Sequence, residues 1–285
     1  MQCCISNGDT TCGSEISLIY APRILPREAI RMEIAVCVKM TYDVQELKAD
    51  SSGRPSFQNV LVKISEFDKY AIEAAVKLRE GMGGTVRLFS VSNANAKEAI
   101  KEALARGCDS GFIVHYDQPP QDPAMIARLL ASAITKHAPQ TQIVLCGEAS
   151  VDMSSSVVGS MVAACLDQPF VAYASKLQVQ GENVLVERSG GGTVETLSCK
   201  LPVVIGATDK LNKPRTPTLM QILGAAKKPV SILTPNDVAP EAGALTKFER
   251  VEVFKMDRKR VMVDASDAGA AADRVVAELR KEGAL

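Results

Sequence analysis

Three consecutive serines, Ser154, Ser155 and Ser156, are the residues whose type and spacing best suit ligand chemistry in this chain. They follow a short apolar run at residues 143–146, and the pattern predicts a helix over residues 154–166. At a helix start, hydroxyls and unpaired backbone N–H groups favour an anion such as a phosphate. A serine run can also simply cap the helix, so the spacing leaves both interpretations open.

Residues for other kinds of catalytic chemistry are few. The two histidines, His115 and His137, fall at a predicted strand end and a predicted helix end, where structural roles are expected. Neither Gly-rich phosphate motif, G-x-x-x-x-G-K-[ST] or G-x-G-x-x-G, follows a strand. The glycines at residues 190–192 lie between two strand-like segments and are interpreted as a hairpin turn. We therefore expect no catalytic residues.

The eight cysteines have no C-x-x-C spacing, and with only two histidines they predict neither a zinc site nor an iron–sulfur site. Cys37 and Cys146 lie in apolar runs and are expected to be small buried side chains. Reduced thiols are typical of a reducing compartment, so we expect a cytoplasmic protein.

The composition argues for a globular chain with a protein partner. The 285 residues include 33 Lys plus Arg and 33 Asp plus Glu, a formal net charge of zero. Nucleic acids and anionic membranes favour a basic surplus, so neither is an expected partner. With 46% hydrophobic residues, a neutral chain is prone to associate. The sequence has no apolar run of about 18 residues or more, so no membrane-spanning helix is expected.

An alternation of strands and helices is predicted to position the serine segment. Nearly continuous apolar strands that alternate with helices indicate an α/β protein with a doubly wound, mostly parallel sheet. Later segments alternate apolar and polar residues, which predicts an antiparallel hairpin extension of that sheet. The predicted strands are 34–38, 86–91, 111–115, 143–146 and 203–205, the helices 68–80, 96–106, 123–137, 154–166 and 270–281, and the hairpin segments 176–180, 184–188 and 194–200.

Three segments are expected along the chain. Residues 1–31 lack clear periodicity and are interpreted either as a disordered arm or as the product of an upstream start codon. Residues 32–229 are predicted to form the α/β domain that contains the candidate phosphate site. Residues 230–285, rich in Pro, Ala, Gly and Asp before a last amphipathic helix, are interpreted as an arm that docks on another subunit, with a mobile tail as the alternative.

Several motifs in order along the chain resemble the electron-transfer flavoprotein beta family, most closely its Fix-type branch. The segments that carry the resemblance are Ile34–Lys39, Lys63–Ala75, Val184–Ile205, Leu211–Arg215 and Ile222–Pro229. The resemblance implies an electron carrier subunit rather than a self-contained enzyme, with an adenine-nucleotide alpha-hydrolase-like fold.

Cofactors and partners follow from the same resemblance. It implies a heterodimer with an alpha subunit and a FAD held mostly by alpha. The beta subunit is expected to hold AMP or, in electron-bifurcating members, a second FAD. Implied electron-transfer partners are dehydrogenases, a quinone oxidoreductase and a ferredoxin-like protein.

The resemblance also implies which residues contact the nucleotide. They fall on the first strand, the loop before the first helix, the end of the next strand and the loop that opens the fourth helix. The residues are Cys37, Ser65, Glu66, Phe67, Asp68, Asn93, Asp152, Met153, Ser154, Ser155, Ser156, Val157, Val158, Gly159 and Ala163. The serine segment identified from its chemistry therefore coincides with the family's site.

Contact with partner proteins is implied for Leu219 and Arg215, in the family's recognition loop. A leucine after a Pro-containing loop suits an exposed contact residue, whereas a buried first-turn residue of the next helix is the alternative.

The family's bifurcating pattern Asp-Gly-Asp-Thr is absent, because Met153 and the serines follow Asp152. The identity of the second nucleotide, AMP or FAD, therefore stays open. A stand-alone nucleotide-binding stress-type module is the alternative from another class. An adenylating hydrolase of related fold is disfavoured because the sequence lacks the adenylating loop of such enzymes.

Overall fold

The computed structural model describes residues 31–43, 45–50, 54–93, 96–239, 243–247, 249 and 259–285. The described residues divide into a larger compact unit, at numbers 31–48 and 56–249, and a smaller one, at numbers 49–55 and 259–285. The prediction for residues 1–31 lies outside the described residues, apart from Arg31. None of the described helices is long and apolar enough to cross a membrane.

The described strands are β1 (Met32–Cys37), β2 (Met40–Tyr42), β3 (Lys48–Ala49), β4 (Pro55–Ser56), β5 (Val62–Ile64), β6 (Gly84–Ser92), β7 (Ser110–His115), β8 (Thr141–Gly147), β9 (Phe170–Gln180), β10 (Asn183–Gly190), β11 (Thr193–Lys200), β12 (Val203–Ala207) and β13 (Val230–Leu233). The described helices are α1 (Glu66–Met82), α2 (Ala96–Ala105), α3 (Pro123–His137), α4 (Val158–Cys165), α5 (Leu219–Ala225), α6 (Pro235–Val238) and α7 (Ala268–Lys281).

A nine-stranded sheet organises the larger unit, in the order β11-β10-β9-β12-β8-β1-β6-β7-β13. The pairings from β9 across to β13 are all parallel, and β10 and β11 extend the sheet in antiparallel fashion. The predicted doubly wound sheet with an antiparallel extension is confirmed. The glycine segment at 190–192 is the expected hairpin turn between β10 and β11.

Strands at the centre of the sheet are buried on both faces. Along β1, Ile34 and Val36 belong to one apolar cluster, whereas Ala35 and Cys37 belong to a second. Because successive side chains of a strand point to opposite faces, the two clusters are the cores on the two sides of the sheet. This burial on both faces explains why the strand sequences are nearly continuous apolar runs.

The chain reverses direction across the sheet between β1 and β8. After β1 it proceeds to β6 and β7 on one side, and then returns to place β8 on the other side of β1. In open parallel sheets, such a reversal leaves a crevice outside the carboxyl ends of the two strands. The fold therefore places the residues that follow Cys37 and Gly147 at a natural ligand site.

The predicted start of the fourth helix is wrong. Helix α4 begins at Val158, four residues after Ser154, and Val157 occupies the N-cap position. Ser154 and Ser156 have φ angles of 48° and 54°, in the left-handed region, which a right-handed helix cannot include. The three serines therefore form a loop in front of the helix rather than its first turn.

The strand pattern also continues beyond residue 229, where the sequence predicted that it would end. Residues 230–233 form β13, which pairs in parallel with β7. This four-residue strand is stabilised by its long-range pairing with β7. The local sequence pattern does not predict a strand at these residues. The segment between β1 and α1, where no strand was predicted, contains the short strands β2 to β5.

Candidate functional site

A cavity of about 330 Å³ opens at the carboxyl ends of β1 and β8. Cys37 and Cys146 line it at the strand ends, and the loop from Gly147 to Gly159 supplies much of one side. The volume lies at the lower end of the roughly 300–1,000 Å³ typical of small-molecule sites. The cavity thus occupies the crevice that the strand order predicts.

One wall of the cavity is apolar. It is built by Val91 at the end of β6, by Ile126 and Leu130 of α3, and by Pro119 and Pro123 ahead of and at the start of that helix. Apolar walls of this kind suit a flat, weakly polar group such as a nucleobase.

The other part of the cavity is polar. Ser155 and Ser156 line it, and the first N–H groups of α4 receive no side-chain cap. Lys39, which follows β1, also lines it, and its Nζ lies 2.7 Å from Asp152 and 3.3 Å from Ser150 Oγ. Hydroxyls, a lysine and a helix N-terminus together form a donor set that fits a phosphate.

Asp68 holds the two strand ends of this site together. In the first turn of α1, its carboxyl accepts the backbone N–H of Lys39 at 2.7 Å and that of Gly147 at 3.0 Å. The side chain is buried, which raises the pKa of Asp68 to about 7, although the two hydrogen bonds oppose the shift.

Gly147 allows this close approach. A Cβ atom at this position would lie 2.5 Å from Asp68 Oδ1 and 2.8 Å from the carbonyl carbon of Phe67. Those distances are too short for any side chain, so glycine at the end of β8 lets the start of α1 pack against the strand.

Cys37 and Cys146 lie side by side across the strand pair. They are register partners in parallel β1 and β8. The neighbouring Cys37 thiol and burial raise the pKa of Cys146 well above its usual range. Both side chains belong to the same core cluster and line the cavity.

The structure brings part of the predicted nucleotide site together. Eight predicted residues line the cavity, from β1, α1 and the loop that leads into α4. They are Cys37, Asp68, Met153, Ser155, Ser156, Val157, Val158 and Gly159.

The other predicted residues do not line the cavity, namely Ser65, Glu66, Phe67, Asn93, Asp152, Ser154 and Ala163. Ser65 is fully buried, and its Oγ has no hydrogen-bond partner among the described residues. Glu66 is exposed and pairs with Lys69, whereas Ala163 belongs to the apolar core.

Sequence reasoning missed Lys39, the apolar wall of α3 and the segment at residues 246–247. Lys39 could have been found because it directly follows a buried strand. The segment at 246–247 reaches the cavity because buried Asp122 accepts backbone N–H groups from Leu245 and Thr246. That contact joins residues more than 120 positions apart in the chain, so no local sequence pattern predicts it.

The two predicted partner residues have different surroundings. Leu219, at the start of α5, is 71% exposed, so the buried alternative is wrong. Met220, Ile222 and Leu223 are also exposed on this short helix. Arg215 instead bonds within the chain, to Glu73 at 2.8 Å and to Glu80 at 2.6 Å.

A doubly wound sheet with a ligand-sized cavity at its reversal point, apolar on one side and rich in donors on the other, is typical of α/β proteins that bind small ligands in this crevice. Comparison with known proteins specifies the family. Residues 58–238 match the model of the electron transfer flavoprotein domain. The chain therefore belongs to the electron transfer flavoprotein family, and the relatives below relate it to the beta subunits.

Two curated relatives carry the name electron transfer flavoprotein subunit beta. The protein from Bacillus subtilis (strain 168) is 30% identical over 232 residues, which cover 80% of this chain and 89% of the relative. The protein from Thermoanaerobacterium thermosaccharolyticum is 34% identical over 218 residues, which cover 75% and 83% respectively. The recognition made from sequence motifs is thus confirmed at the level of the beta-subunit family, and the Fix-type branch stays a prediction.

Proposed function

We propose that this chain is the beta subunit of a heterodimeric electron-transfer flavoprotein and that it holds AMP in the cavity between β1 and β8. The observation that carries the proposal is the position of this cavity, at the reversal point of a sheet in the electron transfer flavoprotein family. A FAD shared with an alpha subunit supplies the electron-carrying chemistry when bound.

The size of the cavity supports a mononucleotide. About 330 Å³ is near the minimum for small-molecule sites, so it suits AMP better than an extended dinucleotide. In this arrangement Ile126 and Leu130 would hold the base, and Ser155, Ser156 and the start of α4 would hold the phosphate. A second FAD in beta, as in a bifurcating complex, requires a wider cavity.

Asp68 and Lys39 have different proposed roles in nucleotide binding. Asp68 fixes the ends of β1 and β8 relative to α1, which keeps the cavity walls in place. Lys39 is held by Asp152 and Ser150 beside the serine loop, where its charge can favour a phosphate. These are binding and positioning roles, as expected of a carrier subunit.

Partner docking completes the proposal. The exposed apolar residues of α5 are the proposed contact for dehydrogenases and for the electron acceptor, a quinone oxidoreductase or a ferredoxin-like protein. The segment after residue 250, which includes the amphipathic helix α7, is proposed to dock on the alpha subunit. Val275, Val276 and Leu279 of α7 are all partly exposed.

Co-expression with an alpha subunit tests the proposal. We expect a stable heterodimer that contains one FAD and one extractable AMP, whereas the chain alone should lack flavin. A content of two FAD molecules per heterodimer, without AMP, would instead support the alternative in which the beta subunit binds a second FAD. A stable monomer that never acquires flavin with any alpha subunit would contradict the proposed function and favour a stand-alone nucleotide-binding module.

A further inference from the structure

We propose that Cys37 and Cys146 form a reactive thiol pair that exchanges with small-molecule disulfides and closes to an intramolecular disulfide between β1 and β8. The proposal requires no nucleotide and no partner subunit, so it is independent of the proposed function.

Backbone geometry permits the bond. Cys37 and Cys146 are register partners on adjacent parallel strands, which lie about 4.8 Å apart. Disulfides join residues whose Cα atoms are about 4.4–6.8 Å apart, so the strands need not separate. Because register partners project from the same face of the sheet, the two cysteines are neighbours on that face.

The cavity gives a reagent access to the pair. Both cysteines line it, although each side chain is only 5% exposed. The buried cysteines Cys108 and Cys199 do not line the cavity. Among the described cysteines, Cys37 and Cys146 alone combine a thiol neighbour with access to a ligand-sized opening.

Exchange begins at either of the two thiols. Thiolates are the attacking species, so the first cysteine attacks once it has lost its proton. Its sulfur bonds to one sulfur of the small disulfide, the S–S bond breaks, and one small thiol leaves with the proton of that cysteine.

The second step closes the protein disulfide. The sulfur of the second cysteine attacks the sulfur of the first, the mixed S–S bond breaks, and the second small thiol leaves with the proton of the second cysteine. In sum, the two protein thiols lose two electrons and two protons, and one small disulfide becomes two thiols.

Reaction of the native full chain with 2-hydroxyethyl disulfide, followed by peptide mapping by mass spectrometry, tests the proposal. We expect a linkage between the peptides that contain Cys37 and Cys146, with the loss of two hydrogens. Neither single variant can close the disulfide, so Cys146→Ala should retain a hydroxyethylthio group on Cys37, and Cys37→Ala should retain one on Cys146.

Cys165→Ala is the matched control, because Cys165 is exposed and outside the cavity. This variant should form the Cys37–Cys146 linkage at the wild-type rate. Circular dichroism of each variant checks that the chain remains folded. The proposal is overturned if Cys37 and Cys146 stay unmodified while Cys165 reacts, or if the linkage forms only in urea.

Discussion

Asp68 Oδ1 lies 3.0 Å from the backbone nitrogen of Gly147 and accepts its hydrogen bond. The other oxygen of the same carboxyl accepts the N–H of Lys39 at 2.7 Å. A single side chain in the first turn of α1 therefore joins the residues at both sides of the crevice, at the ends of β1 and β8. Such a contact links the stability of the sheet to the shape of the proposed binding site.

The buried Asp68 carboxyl should make stability depend on pH. Its folded pKa of about 7 lies above the ordinary value of 3.8, so the folded chain holds this proton up to about pH 7 and the unfolded chain releases it near pH 4. This contribution to stability is therefore complete below about pH 4 and is lost as the pH rises to about 7, by at most about 1.4 kcal/mol per pH unit.

Urea unfolding between pH 4.5 and 7.5 measures this effect. The free energy of unfolding of the wild type should fall relative to that of Asp68→Asn as the pH rises. Parallel curves for the two proteins would contradict a raised pKa at this position.

The close packing at Gly147 should not tolerate a side chain. Gly147→Ala would place its Cβ against Asp68 and the backbone of Phe67, so we expect a loss of about 1–3 kcal/mol in the free energy of unfolding. Gly81→Ala, in α1 with open space around its Cβ, is the matched control and should be neutral or slightly stabilising. Equal effects of the two substitutions would refute the packing argument.

Arg215 should stabilise the loop ahead of α5 through Glu73, whose side chain is only 4% exposed. Arg215→Met leaves that carboxylate without its main partner, and we expect a cost of about 3 kcal/mol in the free energy of unfolding. Glu80→Gln removes only the exposed branch of the same network and should cost less than about 1 kcal/mol. A smaller loss for Arg215→Met than for Glu80→Gln would be inconsistent with this arrangement.

Leu219 is the predicted anchor for partner proteins. Leu219→Ala removes an exposed apolar side chain, so electron transfer from the partner dehydrogenase should slow while flavin content stays constant. Leu61→Ala is the control, because Leu61 is similarly exposed, at 68% against 71%, and lies outside the recognition loop. If transfer to an artificial dye slows equally in Leu219→Ala, the defect lies in folding or in flavin binding instead.

Most of the sheet could be predicted because its signals are local. Strands buried on both faces must be apolar throughout, as at Ile34 and Ala35, whose side chains lie in the two different cores. The helix predicted at residues 123–137 matches α3, where Asp122 is the N-cap and Pro123 the first residue. Elements that depend on long-range contacts were missed. Strand β13 exists through its pairing with β7, and the segment at 246–247 is held by Asp122.

The site was predicted in part for the same reason. The serine segment was found because its residue types suit a phosphate, but its loop conformation depends on the positive φ angles of Ser154 and Ser156, which serine does not signal. The family resemblance supplied Asp68, although not its role in joining the ends of β1 and β8. Lys39 was overlooked because a single lysine after a strand is a weak signal without the strand order.

The nucleotide content of the purified heterodimer tests the central claim most directly. Ser155→Asp combined with Ser156→Asp places two negative charges beside the proposed phosphate, and loss of charge-assisted contacts costs on the order of 1.5–3 kcal/mol each. Ser154→Asp adds charge to the same loop at a residue that does not line the cavity. Denaturation of each heterodimer releases its nucleotides for chromatography. We expect one AMP per wild-type and Ser154→Asp heterodimer, and loss of AMP with retention of FAD in the double variant. Equal AMP in all three proteins would contradict the assignment of this cavity as the nucleotide site.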